Sequence, residues 1–132
     1  MERVKERAQV ARKALSTLQE LTGKPDLSTV ERDAAIQRFE YTFEAMWKTA
    51  QTFLNESEGI TANPPKGVVR ASWQLGLLDE TNAQLALQMC EARNMTVHTY
   101  NEKLALSIYH QIKGYAGVLE LWLSAIEKRL DD

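Results

Sequence analysis

The apolar residues of this chain recur at steps of three and four positions over long stretches, which is the period of a helix with one buried face. Only three prolines and six glycines occur among 132 residues, and they fall mostly between these stretches, as in Gly23-Lys24-Pro25 and Asn63-Pro64-Pro65. No alternating strand pattern and no internal repeat competes with the helical period. The sequence therefore predicts an all-α fold.

Capping residues divide the chain into helices. Ser28 and Glu31 form a capping box, in which both side chains bind backbone N–H groups at a helix start, and Asp79 or Thr81, and later Asn101, are suited to the same role. Residues 96–99 are poor helix formers because branched side chains lose rotamer freedom in a helix, so we expect a turn there. The predicted helices are residues 2–22, 28–58, a short one near 67–76, one from 79–81 to about 95, and one from 101 onwards.

The last predicted helix carries more apolar residues than one buried seam requires. One stripe consists of Leu104, Ile108, Tyr115, Leu119, Trp122 and Ile126, and a second of Ile112, Ala116, Leu123 and Leu130. A bundle helix with so wide an apolar face often packs against its own domain and against another subunit. The pattern is consistent with a dimer.

Charge and cysteine content limit the classes of function. The net charge of −2 argues against a surface that binds nucleic acid broadly and leaves room only for a local contact. The single cysteine, Cys90, with His98 and His110 offers too few ligands for a structural zinc site, so we expect no metal and no cofactor.

The length fits one domain over residues 1–132. The charged N-terminus and the lack of a membrane-spanning apolar run indicate a soluble cytoplasmic protein.

Residues 93–100 bring together the groups best suited to chemistry. Arg93 offers a planar pair of donors to a phosphate, and His98 carries the side chain that ordinarily exchanges protons near neutral pH. With the amide of Asn94 and the phenol of Tyr100, these are the parts of a metal-independent ribonuclease, which needs a base, an acid and a cation. A histidine at a helix end is more often a capping residue, and an Arg–His pair at this spacing also occurs by chance.

Geometry restricts the catalytic interpretation. On one continuous helix Arg93 and His98 point well apart, because successive residues are rotated by about 100°. The two side chains converge only if the helix ends near His98, or if two subunits each contribute a copy of the motif.

The second predicted helix carries charged residues beside its apolar face. Glu40, Glu44 and Lys48 form a row at four-residue spacing, which suits a solvated ladder of ion pairs. As metal ligands the two glutamates are weak candidates, since no histidine or further carboxylate at helical spacing completes a set. The chain also lacks the Gly-Ser turn and spaced aspartate pair of a nucleotidyl-transfer centre. The residues that we consider as supporting or partner-binding groups are Arg32, Arg38, Glu40, Glu44, Lys48 and Arg70.

Two separated motifs resemble the nucleotidyltransferase substrate-binding protein family of the HEPN superfamily, which includes HepT-like toxins. The first motif is Arg32-Asp33-Ala34-Ala35-Ile36-Gln37-Arg38-Phe39-Glu40-Tyr41-Thr42-Phe43-Glu44, followed by Trp47-Lys48. The second motif is Arg93-Asn94 with His98-Thr99-Tyr100, and Gly76-Leu77-Leu78-Asp79 extends the likeness between the two motifs. The chain differs from the family at Pro64-Pro65-Lys66-Gly67, which replaces a Pro-Arg pair, although Arg70 is present.

The resemblance implies an up-and-down four-helix bundle that forms a homodimer. The short helix predicted near 67–76 would lie between the second and third helices of this bundle. It also implies a partner, a small nucleotidyltransferase encoded nearby. Arg93 would bind phosphate, His98 would act as general acid or base and Asn94 would orient either, in a cleft at the dimer interface that cleaves RNA. The partner would silence this activity by adenylylating Tyr100. A non-catalytic nucleotide- or substrate-binding subunit and an orphaned structural bundle are the alternatives.

Overall fold

The computed structural model describes residues 1–131 and confirms the all-α prediction. Over that range the chain has no strand, and four long helices form an up-and-down bundle with one short helix between the second and third. The elements are α1 (Glu2–Thr22), α2 (Thr29–Glu58), α3 (Pro65–Gln74), α4 (Glu80–Met95), a 3-10 turn (Thr96–His98) and α5 (Glu102–Asp131). None of these helices is long and apolar enough to cross a membrane.

The second helix begins and ends at the residues that the sequence indicated. The Ser28 hydroxyl accepts the Glu31 backbone N–H at 3.1 Å, and the Glu31 carboxylate accepts the Ser28 N–H at 3.1 Å. Gly59 ends α2 with a φ of 67°, in the left-handed region that glycine adopts without steric penalty. Both ends of α2 are thus specified locally.

The starts of α4 and α5 are capped by single side chains. Asp79, rather than Thr81, starts α4, since its carboxylate accepts the Asn82 N–H at 2.8 Å. The Asn101 side-chain oxygen accepts the Leu104 N–H at 3.2 Å and starts α5. The short helix α3 begins two residues earlier than predicted, because a proline at the first helical position has no N–H that needs a helical partner.

The core lies between the four long helices α1, α2, α4 and α5, and α3 closes one side of it. The indole N–H of Trp122 donates to the hydroxyl of Ser72 at 3.2 Å, so a buried polar pair joins α5 to α3. Both apolar stripes of α5 contribute to this core, and the second stripe includes the fully buried Ile112 and Leu123. The wide apolar face of α5 is therefore used within one chain, and its width gives no argument for a dimer.

A charged cluster joins α1 to α5 on the outside of the bundle. The Arg12 guanidinium donates to both carboxylate oxygens of Glu120, at 2.7 and 2.8 Å, and to those of Glu127, at 2.6 and 3.2 Å. Gln19 donates to the same Glu120 at 3.0 Å. The hydrogen bonds to Glu127, and then those to Glu120, raise the pKa of Arg12. This cluster fixes the two helices side by side.

Candidate functional site

The end of α4 separates Arg93 from His98. The helix stops at Met95, and the chain continues as the 3-10 turn through His98. The buried Thr96 hydroxyl donates to the Arg93 carbonyl oxygen at 2.8 Å, and the Thr99 hydroxyl donates to the Thr96 carbonyl oxygen at 3.1 Å. The Thr96 backbone N–H also donates to the Arg93 carbonyl oxygen, so side chain and backbone of Thr96 together end the helix. The turn that the sequence predicted over residues 96–99 is confirmed.

Arg93 packs against α2 beside two carboxylates. Its side chain is 23% exposed, with Nε 3.3 Å from Glu44 Oε1 and Nη2 3.8 Å from Glu40 Oε1. Nη1 donates to the Thr96 hydroxyl at 3.4 Å. Nε is buried and makes no hydrogen bond to any of residues 1–131. The guanidinium of Arg93 is thus positioned by electrostatic attraction, and strong hydrogen bonds do not occupy its N–H groups.

The charged row on α2 is completed by Lys48 and Trp47. Lys48 Nζ lies 3.8 Å from Glu44 Oε2, which is the favourable ion pair at four-residue spacing that the sequence predicted. The Trp47 indole N–H donates to the same oxygen at 3.3 Å. Glu40 departs from the expected ladder, because its partner is Arg93 of α4 rather than a residue of its own helix.

His98 and Tyr100 form a second, exposed group. The Tyr100 phenol is 85% exposed, and its hydroxyl lies 3.5 Å from Nδ1 of the exposed His98. The two rings meet edge to face with their centroids 6.0 Å apart. An imidazole in this position is accessible to a substrate or to another protein.

Among the residues that the structure describes, no hydrogen bond joins Arg93 to His98. Asn94 is exposed beside Arg93 on α4. The structure thus places Glu40 and Glu44 at Arg93 and places Tyr100 at His98. The 3-10 turn lies between these two groups.

Arg32 is a buried arginine at the start of α2 that forms ion pairs with two exposed carboxylates. It is 8% exposed, donates to both carboxylate oxygens of Glu102, one of them at 3.2 Å, and contacts Asp33 Oδ1 at 3.1 Å. The hydrogen bond from Arg32 lowers the pKa of Glu102. The pair sets the first turn of α5, which follows the 3-10 turn, against α2.

The other two candidate cations lie elsewhere. Arg38 donates to the Thr17 carbonyl oxygen at 2.7 Å and to Glu20 at 3.3 Å, so it contacts α1. Arg70 is exposed on α3, where it borders a shallow cavity with Trp73 and Gln74. Neither of these arginines forms an ion pair with a residue of the site at the end of α4.

Sequence reasoning missed two residues that shape the site. Thr96 ends α4 and contacts Arg93, whereas the sequence marked it only as a poor helix former. Trp47 fits a core or interface position by sequence, yet its indole N–H binds Glu44. The signal for Trp47 was its position three residues after Glu44, which places the two on one helical face.

The comparison with known proteins assigns the family. Residues 6–128 match the family described as nucleotidyltransferase substrate binding protein like. The chain belongs to this family. A relative in Haemophilus influenzae, named Probable ribonuclease HepT, is 29% identical over 85 residues. That match covers 61% of this chain and 57% of the relative, so the chain spans little more than half of the relative's length.

Solved structures share the fold of this chain. A crystal structure of a protein from Thermus thermophilus has 52% sequence identity and a TM-score of 0.85, and the similarity covers 88% of this chain and 98% of that chain. A tri-AMPylated HEPN toxin from Shewanella oneidensis, in complex with an MNT antitoxin, has 17% identity and a TM-score of 0.75. That similarity covers 95% of this chain and 96% of the toxin, and at this identity it demonstrates a common fold.

Proposed function

We propose that this chain is the HEPN subunit of a two-component nucleotidyltransferase system and acts as a metal-independent endoribonuclease toxin through Arg93 and His98. The family membership, the relative named as a ribonuclease and the fold shared with a HEPN toxin support this proposal. The observation that carries it is the end of α4, where a fixed cation is followed across a short turn by an exposed imidazole.

The chemistry needs proton transfer at two oxygens. The ribose 2′-oxygen attacks the adjacent phosphorus and loses its proton to a base, while the bond from phosphorus to O5′ breaks and O5′ takes a proton from an acid. The products are a 2′,3′-cyclic phosphate and a 5′-hydroxyl. His98 supplies the imidazole, Arg93 stabilises the negative charge on the phosphorus oxygens, and Asn94 orients either group.

A homodimer supplies the missing half of the site. One imidazole cannot act as base and acid in the same step, whereas the His98 of a second copy provides the other partner. Arg93 and His98 of one chain are also not hydrogen-bonded to each other. We therefore propose that the cleft is completed by a second chain, so that residues 1–132 act as a single HEPN domain in a homodimer.

The proposed partner is a small nucleotidyltransferase that silences the toxin. It would transfer the adenylyl group of ATP to the Tyr100 oxygen, so that the oxygen–phosphorus bond forms, pyrophosphate leaves and the phenol loses its proton. Tyr100 is accessible, and its hydroxyl faces His98 Nδ1. The added phosphodiester places negative charge and bulk beside the imidazole and excludes an RNA phosphate. A related fold, the Shewanella toxin, is itself tri-AMPylated in complex with its antitoxin.

The proposed setting is the cytoplasm, where RNA and such a partner are both available. Among the candidate partner contacts, Arg70 is exposed on α3, whereas Arg32 and Arg38 are engaged with α5 and α1. We therefore propose that the nucleotidyltransferase contacts the motif at the end of α4, and that Arg70 on α3 is a separate candidate contact.

A second candidate is a non-catalytic subunit that binds a nucleotide or another substrate for the nucleotidyltransferase. The separation of Arg93 from His98 favours it, because the two side chains of one chain share no hydrogen bond and do not form a catalytic pair by themselves. This alternative predicts binding without cleavage.

Growth of cells that express the protein tests the proposal. The wild-type chain should arrest growth, His98→Ala should not, and co-expression of an active nucleotidyltransferase should restore growth. His110→Ala is the matched control, since it removes another exposed histidine of the chain. If His98→Ala arrested growth as strongly as the wild type, the ribonuclease assignment would be contradicted.

A further inference from the structure

The Glu44 carboxylate divides its two oxygens between different partners. Oε1 lies 3.3 Å from Arg93 Nε, whereas Oε2 accepts the Trp47 indole N–H at 3.3 Å and lies 3.8 Å from Lys48 Nζ. Two neighbours on its own helix thus orient Glu44 towards the arginine of α4. We propose that Glu44 is a positioning residue that fixes the Arg93 guanidinium for an RNA phosphate, an inference that rests on the proposed function.

The donors of Arg93 remain available in this arrangement. A guanidinium carries five N–H groups, and the hydrogen bond that the structure gives this one is the long contact with Thr96, at 3.4 Å. Glu40 lies 3.8 Å from Nη2, beyond hydrogen-bond distance. The Nη groups can therefore still form the paired bonds that arginine makes with a phosphate.

The contact with Glu44 preorganises the Arg93 side chain for binding. A free arginine side chain has considerable rotamer entropy, and a ligand that must order it binds less tightly. Glu44 is the nearer of the two carboxylates and faces the buried Nε, at the base of the guanidinium. Since Lys48 also contacts Glu44, two cations face the two carboxylates, and the site has no excess negative charge to repel RNA.

Hydrogen exchange of the Arg93 Nε–H, measured by NMR on the protein alone, tests the positioning step. The signal is assigned by its loss in Arg93→Lys. Glu44→Gln should speed exchange by roughly fivefold, the factor expected for one partly exposed ion pair, and Glu44→Ala should have at least that effect. Glu56→Gln is the matched control, because it removes a carboxylate of the same helix that pairs with Arg3 at 3.1 Å. An exchange rate unchanged by both Glu44 substitutions would overturn the inference.

Binding of a 2′-O-methyl oligoribonucleotide, which lacks the attacking hydroxyl and cannot be cut, tests the link to phosphate. Glu44→Gln should weaken binding by roughly fivefold in the wild-type background and should have no further effect in Arg93→Lys, because coupled residues are not additive. An equal loss in both backgrounds would show that Glu44 does not act through Arg93. If the wild-type chain bound no oligonucleotide, the proposed function would fail, whereas the exchange rate would still report whether Glu44 fixes Arg93.

Discussion

The hydroxyl of Tyr100 lies 3.5 Å from Nδ1 of His98, and both side chains are exposed. The phenol is thus accessible to a second protein at the same time as it touches the imidazole. Because the contact is direct, a covalent change at the phenol oxygen alters the surroundings of His98 without any movement of the helices. This arrangement suits an activity that is switched off by modification.

Tyr100→Phe should separate silencing from activity. The variant lacks the oxygen that we propose as the acceptor of the adenylyl group. Co-expression with an active nucleotidyltransferase should therefore add no adenylate mass to the peptide that contains position 100, and growth arrest should persist. RNA cleavage should change by at most roughly fivefold, since an exposed hydrogen bond contributes only about 0.5–1 kcal/mol. Tyr109→Phe is the control and should still be silenced. Loss of cleavage in Tyr100→Phe would assign the phenol to the reaction itself.

Arg12 should contribute measurably to stability. Arg12→Ala removes the hydrogen bonds to Glu120 and Glu127 and should lower the free energy of unfolding by about 1 kcal/mol, after allowance for the partial solvent exposure of the cluster. Arg12→Lys should lower the free energy of unfolding by nearly as much, because an ammonium group lacks the paired N–H donors with which the guanidinium binds two carboxylates. Urea denaturation measures both effects. Lys13→Ala, at an exposed neighbour, is the control, and an equal loss there would refute the assignment.

The capping box predicts how stability depends on pH. Hydrogen bonds from Lys24, and then from the Ser28 backbone, lower the pKa of Glu31 from 4.5 to about 2. A carboxyl group whose pKa is lower in the folded state stabilises the fold above its unfolded pKa, and this contribution disappears as the pH falls through the folded value. The melting temperature should therefore fall between about pH 5 and about pH 2.

Glu31→Gln isolates that contribution. The substitution should lower the melting temperature at neutral pH and should flatten the decline on acidification, because position 31 no longer titrates. Thermal unfolding followed by circular dichroism across this pH range measures both effects. A decline as steep as that of the wild type would show that other carboxyl groups dominate.

Cys90 should be inert in the folded protein. It is 4% exposed, and burial raises the pKa of its thiol to about 11, so little of the reactive thiolate is present near neutral pH. Iodoacetamide should label Cys90 slowly in the native chain and rapidly in urea, as mass spectrometry would show. Rapid labelling of the native chain would mean that α4 opens locally.

Local sequence signals predicted the capped starts of α2, α4 and α5. Ser28, Asp79 and Asn101 each cap a helix by binding a backbone N–H only three residues away, so the necessary partner lies within the same short segment. The turn after Arg93 was likewise predicted, because three of the four residues at positions 96–99 have branched side chains that disfavour the helix. Features decided within one helical turn can be derived from the residues alone.

Contacts between helices could not be derived in the same way. Glu40 and Glu44 looked like members of a ladder within α2, whereas both face Arg93, about fifty residues later in the chain. Arg32 likewise pairs with Glu102 across the bundle. Such pairs depend on how the helices rotate about their axes when they pack. The second apolar stripe of α5 was misjudged for the same reason, since its burial depends on which helices surround it.

Cleavage of single-stranded RNA by the purified chain, free of its partner and in the presence of EDTA, tests the central claim most directly. The wild-type protein should cut the RNA and leave 2′,3′-cyclic phosphate ends, and His98→Ala should reduce the rate by at least about 100-fold, the usual effect of losing a general acid or base. Intact RNA after incubation with the wild-type chain, or equal cleavage by His98→Ala, would contradict the account.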